Sequence, residues 1–212
     1  MKNLKENWVC EHDQTLLKVP ILEFVKRVFR DRRDNTRHDF YLLRSRDWVN
    51  IIPVTKHGTV VMVRQFRVGI DDVTLEFPGG VADSGDKDLC AAATRELSEE
   101  TGYVPMPGAT CIPLGWSHPN PAIMNNRVFS FLVGPVRKDR NQELDPTEQI
   151  DIVEIPIPEL PERIRRGEIT HALMLDALLS LALRSSAASA GLISELQAFV
   201  TAQAPLQEQP KS

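Results

Sequence analysis

The stretch LEFPGGVADSGDKDLCAAATRELSEETGY, residues 75–103, constrains this chain more than any other. A glycine pair leads, through a short loop, into a helix-compatible segment that ends in three closely spaced glutamates. Asp88 stands where an N-cap is needed, and Leu89, Cys90, Ala91, Ala92 and Ala93 suit a closely packed helix after it. Glu96, Glu99 and Glu100 then fall at i, i+3 and i+4, with side-chain roots about 5–6 Å apart. Gly102 closes the segment as a C-terminal cap. Two carboxylates about 4 Å apart repel by roughly 4 kcal/mol at an effective dielectric of about 20. A cation between them turns that repulsion into attraction, and oxygen-rich sites of this kind suit magnesium or manganese. Glutamates on a helix more often form a solvated face, with Arg95 simply pairing to Glu99 one turn on. Turn, cap, acid cluster and stop in one short segment favour the metal-binding reading, with a phosphorylated ligand.

At these residues the chain resembles the Nudix hydrolase family. The family box runs glycine, five residues, glutamate, seven residues, then arginine, glutamate, an aliphatic residue, any residue, two glutamates, any residue, glycine and an apolar residue. Its second half is present as Arg95-Glu96-Leu97-Ser98-Glu99-Glu100-Thr101-Gly102-Tyr103, with an aromatic residue at the last position. The first half departs, because fourteen residues, 81–94, separate Gly80 from Arg95 where the pattern has thirteen. Counted back from Arg95, the glutamate position holds Lys87; counted forward from Gly80, it holds Asp86. Placing the extra residue in the loop keeps Asp88 as the cap. In the family that first glutamate mainly braces the loop, so its replacement bears on rate and loop geometry more than on metal binding.

The resemblance implies roles for further residues. Glu96 and Glu100 match metal ligands, Glu99 contributes directly or through water, and the carbonyl of Gly79 supplies another oxygen. Magnesium, or manganese in its place, would neutralise a diphosphate and orient an attacking water. The family draws its base from a loop after the box. Residues 143–152 resemble that loop in ADP-ribose-type members, where Glu148 matches best and Glu143 and Asp145 are substitutes. Pro119 lies at the offset from the box at which ADP-ribose-hydrolysing members carry a proline. Arg67, in Met62-Val63-Arg64-Gln65-Phe66-Arg67, matches a substrate contact, although a surface arginine is the commoner outcome. Asn120, Asn125, Asn126 and Arg127 would line the same pocket or merely form turns. His118 is as readily a solvated loop residue as a phosphate contact.

Composition narrows the remainder. Hydrophobic content of 42% and charged content of 25% over 212 residues suit one globular domain with added terminal elements. A net charge of -4 argues against a general nucleic-acid binder. No apolar stretch reaches membrane-spanning length, and the N-terminus lacks a signal-peptide pattern. Cys10, Cys90 and Cys111 form no paired framework, which predicts a reducing compartment and a cytoplasmic protein.

Extended segments are expected from about residue 16 to 65, with a hairpin turn at Lys56-His57-Gly58 and with Pro20 and Pro53 at strand edges or ends. Further strands fall near residues 73–77, 110–117, 127–133 and 150–157, and helices near 158–166, 171–185 and 192–202. Residues 137–147 read as an exposed loop. With strands on both sides of the acidic helix, the pattern matches the α/β/α sandwich that the resemblance implies. We divide the chain into a strand-rich extension over residues 1–55, a Nudix hydrolase domain over 56–185, and a C-terminal helix and tail over 186–212. By the same resemblance the extension forms a homodimer. The expected activity is metal-dependent hydrolysis of a nucleoside diphosphate-sugar, ADP-ribose foremost. Cleavage of another nucleoside diphosphate derivative, or a weakly catalytic ligand-binding regulator, stays open.

Overall fold

The computed structural model describes residues 4–184. The helix expected at residues 192–202 and the C-terminal tail lie outside this range. A short 3-10 turn, Leu4–Asn7, leads into three antiparallel strands: β1 (Trp8–Lys18), β2 (Glu23–Asp31) and β3 (Arg37–Arg44). Extended structure thus begins well before residue 16. Charges ladder across this sheet, with Arg27 on Asp13, Arg30 and Arg37 on Glu11, and Lys26 on Asp39. Trp8, Phe29 and Phe40 meet edge to face at one end. The boundary drawn at residue 55 falls at the end of the next strand, which belongs to a second and larger sheet.

That sheet contains β4 (Trp48–Thr55), β5 (Thr59–Arg67), β6 (Asp72–Glu76), β7 (Gly79–Val81), β8 (Tyr103–Ser117), β9 (Val128–Lys138) and β10 (Ile150–Pro156). Its order is β10-β5-β4-β9-β8, with β6 on β5 and β7 on β4. The β4–β9 pair is parallel and the others are antiparallel. Helix α1 (Leu89–Thr101) packs on one face, α2 (Leu160–Arg165) follows β10, and α3 (Ala172–Arg184) packs on the other face. The layers are those expected: a mixed sheet between helices.

Strand alternation builds the two cores. Val49, Ile51, Val61, Phe131 and Val133 face α1 and meet Ala92, Ala93 and Leu97. Ile52, Val60 and Met62 point the opposite way and meet Met174 and Ala177 of α3. The two alanines of α1, both fully buried, let that helix sit close to the sheet. Asp88 is extended, with φ −159°, and its side chain accepts from Ala91 N at 2.8 Å, as a cap should. Gly102 takes φ 68° and donates to Ser98 O at 2.8 Å.

Three sequence expectations need correction. Pro53 is buried inside β4, which has neighbours on both sides; a register shift between Pro53 and Thr55 accommodates its missing N–H. Gly79 and Gly80 form a strand on β4, not a tight turn. Cys90 and Cys111 are joined in a disulfide across α1 and β8, leaving Cys10 as the free, exposed thiol. The two stand 21 positions apart, a spacing that signals nothing by itself, yet the docking of α1 brings their Cα atoms to 6.6 Å. Among the described residues no helix is long and apolar enough to cross a membrane.

Because Asp88 fastens the first turn of α1, Asp88→Ala should cost about 1 kcal/mol of stability. A urea midpoint unchanged from wild type would show that the cap contributes nothing.

Candidate active site

The glutamates of α1 meet the sheet at β7. Glu100 is 4% exposed and accepts a hydrogen bond from Gly79 N at 3.1 Å. Burial pushes its carboxyl up to about 8; the Gly79 N–H opposes the shift, and repulsion from Glu96 and Glu148 adds to it. Glu96, one turn earlier, is raised to about 7, again chiefly by burial, with Arg95 opposing and Glu99 and Glu148 reinforcing. Glu99 is more open and holds Arg95 at 2.8 Å.

The glycine pair is explained by close approach. A Cβ on Gly79 would come within 2.3 Å of Val49 O, and one on Gly80 within 2.6 Å of the Glu96 carboxylate. Neither glycine shows a positive φ.

Arg95 ties loop to helix. Its guanidinium donates to Asp86 at 3.0 and 3.2 Å and to Val81 O at 3.2 Å, and it also pairs with Glu96 and Glu99. This hydrogen bonding holds the Asp86 carboxyl below the usual carboxylate range. Of the two ways to count the loop, the structure puts Asp86 against the arginine. Lys87 instead lines an outer cleft beside α1, together with Arg140 and Glu143.

Glu148 sits half-buried at the end of a turn in which its own N–H reaches Asp145 O at 2.9 Å and its carboxylate accepts from Asp145 N at 3.0 Å. It lies close enough to Glu96 and Glu100 for mutual repulsion. Asp145 is exposed, and Glu143 faces the outer cleft. The expected base is thus the loop acid that joins the carboxylate group.

Arg67 forms a fork with Glu76, both contacts at 2.7 Å, and Glu76 is 1% exposed. Burial pushes the Glu76 carboxyl up, but the arginine outweighs it and holds it below the usual range. The pair borders a cavity of about 300 Å³ that includes Trp48, Asn50, Gly80 and His171. Pro119, Asn120 and Arg127 are not among the lining residues. Arg127 binds Asp47 at 2.8 Å and stacks on Phe129, while Asn120 O caps the turn at Ile123 and Met124. That loop docks the three-stranded sheet, since Leu43 N reaches Ile123 O at 2.7 Å and Ser45 N reaches Asn125 at 3.1 Å.

Asn50, Glu76 and His171 were missed from the sequence. Asn50 Nδ2 and His171 Nδ1 are buried with no hydrogen-bond partner among the described residues. A polar residue inside the apolar run Trp48-Val49-Asn50-Ile51-Ile52 was the readable signal.

The donor set fits a hard divalent cation. Among the described residues no three His, Cys, Asp or Glu side chains form a ready-made cage. Magnesium rarely needs one, being held by one or two carboxylates, waters and substrate phosphates. The buried Glu100 and the partly buried Glu96, repelling each other against the closely packed backbone of Gly79-Gly80, supply that pair.

The NUDIX domain profile matches residues 44–177. The chain belongs to this family and is a Nudix hydrolase. It is 26% identical over 139 residues to an ADP-ribose pyrophosphatase of Bacillus subtilis, an alignment covering 65% of this chain and 73% of that protein. A 64-residue segment is 45% identical to an ADP-sugar pyrophosphatase of Mus musculus, covering 28% of this chain and 29% of the relative. The crystal structure of an ADP compounds hydrolase superposes with a TM-score of 0.72 at 18% identity, covering 82% of this chain and 92% of that one; this likeness is one of fold.

The raised carboxyls have a thermodynamic consequence. Between about pH 4.5, the ordinary value, and about 8, the folded state holds protons that the unfolded chain has released. Stability of the metal-free protein therefore falls as pH rises through that window. A chelator-treated sample should melt lower at about pH 8 than at about pH 5, and Glu100→Gln should flatten the slope. An equally steep slope in the variant would refute the assignment.

Proposed function

We propose that this protein hydrolyses the diphosphate bond of a nucleoside diphosphate-sugar in a magnesium-dependent reaction. ADP-ribose, or a close relative of it, is the substrate. The observation that carries this reading is the buried Glu100 beside the partly buried Glu96 against β7, where a cation would offset the repulsion between their ionised carboxylates. The names of the relatives, an ADP-ribose and an ADP-sugar pyrophosphatase, support the substrate class.

Glu96 and Glu100 would hold the metal, with the Gly79 carbonyl and Glu99 as further oxygen donors. Magnesium, or manganese in its place, would supply neutralisation of phosphate charge and acidification of the attacking water. Glu148 accepts the proton of the attacking water. The water oxygen bonds to one phosphorus, the bridging P–O bond breaks, and AMP and ribose 5-phosphate leave. The fork between Arg67 and Glu76 engages Nε and one terminal nitrogen of the guanidinium. The other terminal nitrogen is then available for a substrate oxygen. Pro119, Asn120 and Arg127 shape the approach by fixing the loop that joins the two sheets.

The three-stranded sheet exposes Leu17, Phe24 and Tyr41 on one face, an apolar surface suited to a second copy of the chain, with Phe40 on the other face. Light scattering on the eluting protein should give a dimer mass; a monomer at micromolar concentration would refute this.

Glu100→Gln should abolish magnesium-dependent AMP release from ADP-ribose, a loss of at least about 10³-fold, with an unchanged circular dichroism spectrum. Wild-type turnover in that variant would sink the metal assignment. Tight ADP-ribose binding by the wild-type protein, without AMP release in either metal, would favour a ligand-binding regulator. Release from a different diphosphate in a nucleotide panel would reassign the substrate alone.

A further inference from the structure

The loop that carries Glu148 is fastened to the C-terminal turn of α1 through carbonyls that the helix leaves unpaired. Glu99 O accepts from Glu143 N at 2.8 Å, and Thr101 O from Lys138 Nζ at 2.5 Å. Gly102 O accepts from the amides of Asp139 and Arg140 at 2.9 and 3.2 Å. Glu100 O accepts from Gln142 Nε2 at 2.6 Å, and the same nitrogen donates to Ile150 O at 3.1 Å. Ile150 is the first residue of β10, two positions beyond Glu148. One planar carboxamide therefore links the backbone of a buried α1 glutamate to the strand that starts where the Glu148 turn ends. Among the described residues the backbone hydrogen bonds of the Glu148 turn itself are local, running between Asp145 and Glu148.

We propose that Gln142 is a positioning residue, setting the placement of Glu148 relative to Glu96 and Glu100 by tying Glu100 O to Ile150 O. The inference rests on Glu148 being the base. Lys138 and the amides of residues 139, 140 and 143 secure only the upstream half of the loop. Among the described residues, Gln142 alone joins α1 to its downstream end by hydrogen bonds. Without its two donors the turn is free to shift, and a displacement of about 1 Å at a reacting group costs about 10²-fold in rate.

Two substitutions separate hydrogen bonding from bulk. Gln142→Met keeps the length and removes both donors, whereas Gln142→Lys changes the shape and keeps donors for both carbonyls. With ADP-ribose and magnesium, Gln142→Met should lower kcat by about tenfold or more with KM within about twofold, and Gln142→Lys should restore most of the loss. In a Glu148→Gln background Gln142→Met should cost nothing further, because the group it positions is gone. Amide hydrogen exchange across residues 144–149 should quicken in Gln142→Met.

Unchanged kcat in Gln142→Met overturns the proposal, as does a loss that multiplies in full with that of Glu148→Gln. Should Gln142→Met fail to melt cooperatively, Gln142→Lys decides: kcat near wild type supports the tether, and a loss as deep as that of Glu148→Gln overturns it. Wild-type kcat in Glu148→Gln itself would remove the base assignment, and faster loop exchange in Gln142→Met would then mark a structural clasp without a part in positioning.

Discussion

Burying two carboxylates side by side is among the costliest things a protein interior can do, and the rest of this fold is arranged around doing it. Ionised groups removed from water cost several kcal/mol each unless they are neutralised by a proton, a partner or a metal. Glu100 receives one backbone N–H, from Gly79, and its carboxyl is still held at about 8. The remainder of the cost is met by the apolar packing of Ala92, Ala93 and Leu97 beneath the same helix.

Both ends of α1 are fixed for the same reason. At the N-terminal end Asp88 caps the first turn, Cys90 is linked to Cys111, and Arg95 gathers Asp86, Glu96 and Glu99. The aspartate at position 86 is shorter than the glutamate of the family box. The extra loop residue accompanies this change, and the bracing contact to Arg95 is kept. At the C-terminal end the exposed carbonyls become the docking points of the loop that bears Glu148. A helix so restrained holds its side chains without relying on their own rotamer preferences.

Beside the α1 acids lies a second electrostatic problem. There Arg67 neutralises the buried Glu76 through a fork, beside Asn50 and His171, whose Nδ2 and Nδ1 lack hydrogen-bond partners among the described residues. Unpaired buried polar groups are rare in folded proteins and mark places where water or ligand completes the bonding.

Local spacing was enough to determine the acidic helix, its caps at Asp88 and Gly102, the hairpin at Lys56-His57-Gly58 and most of the strands and helices, though not β1 or β7. Those features depend on residues within a few positions of one another. Only the tertiary structure decided the pairing of Cys90 with Cys111 and the choice of Asp86 over Lys87 at Arg95. It also decided the grouping of Glu148 with the α1 acids and the use of Arg67 on Glu76. It moved Arg127 to the junction of the two sheets and placed Pro53 within a strand flanked on both sides. Each of these joins side chains from different elements, and the depth and angle at which α1 and the β9–β10 loop dock are set by the packing of the whole sheet, on which no single stretch of sequence carries the information.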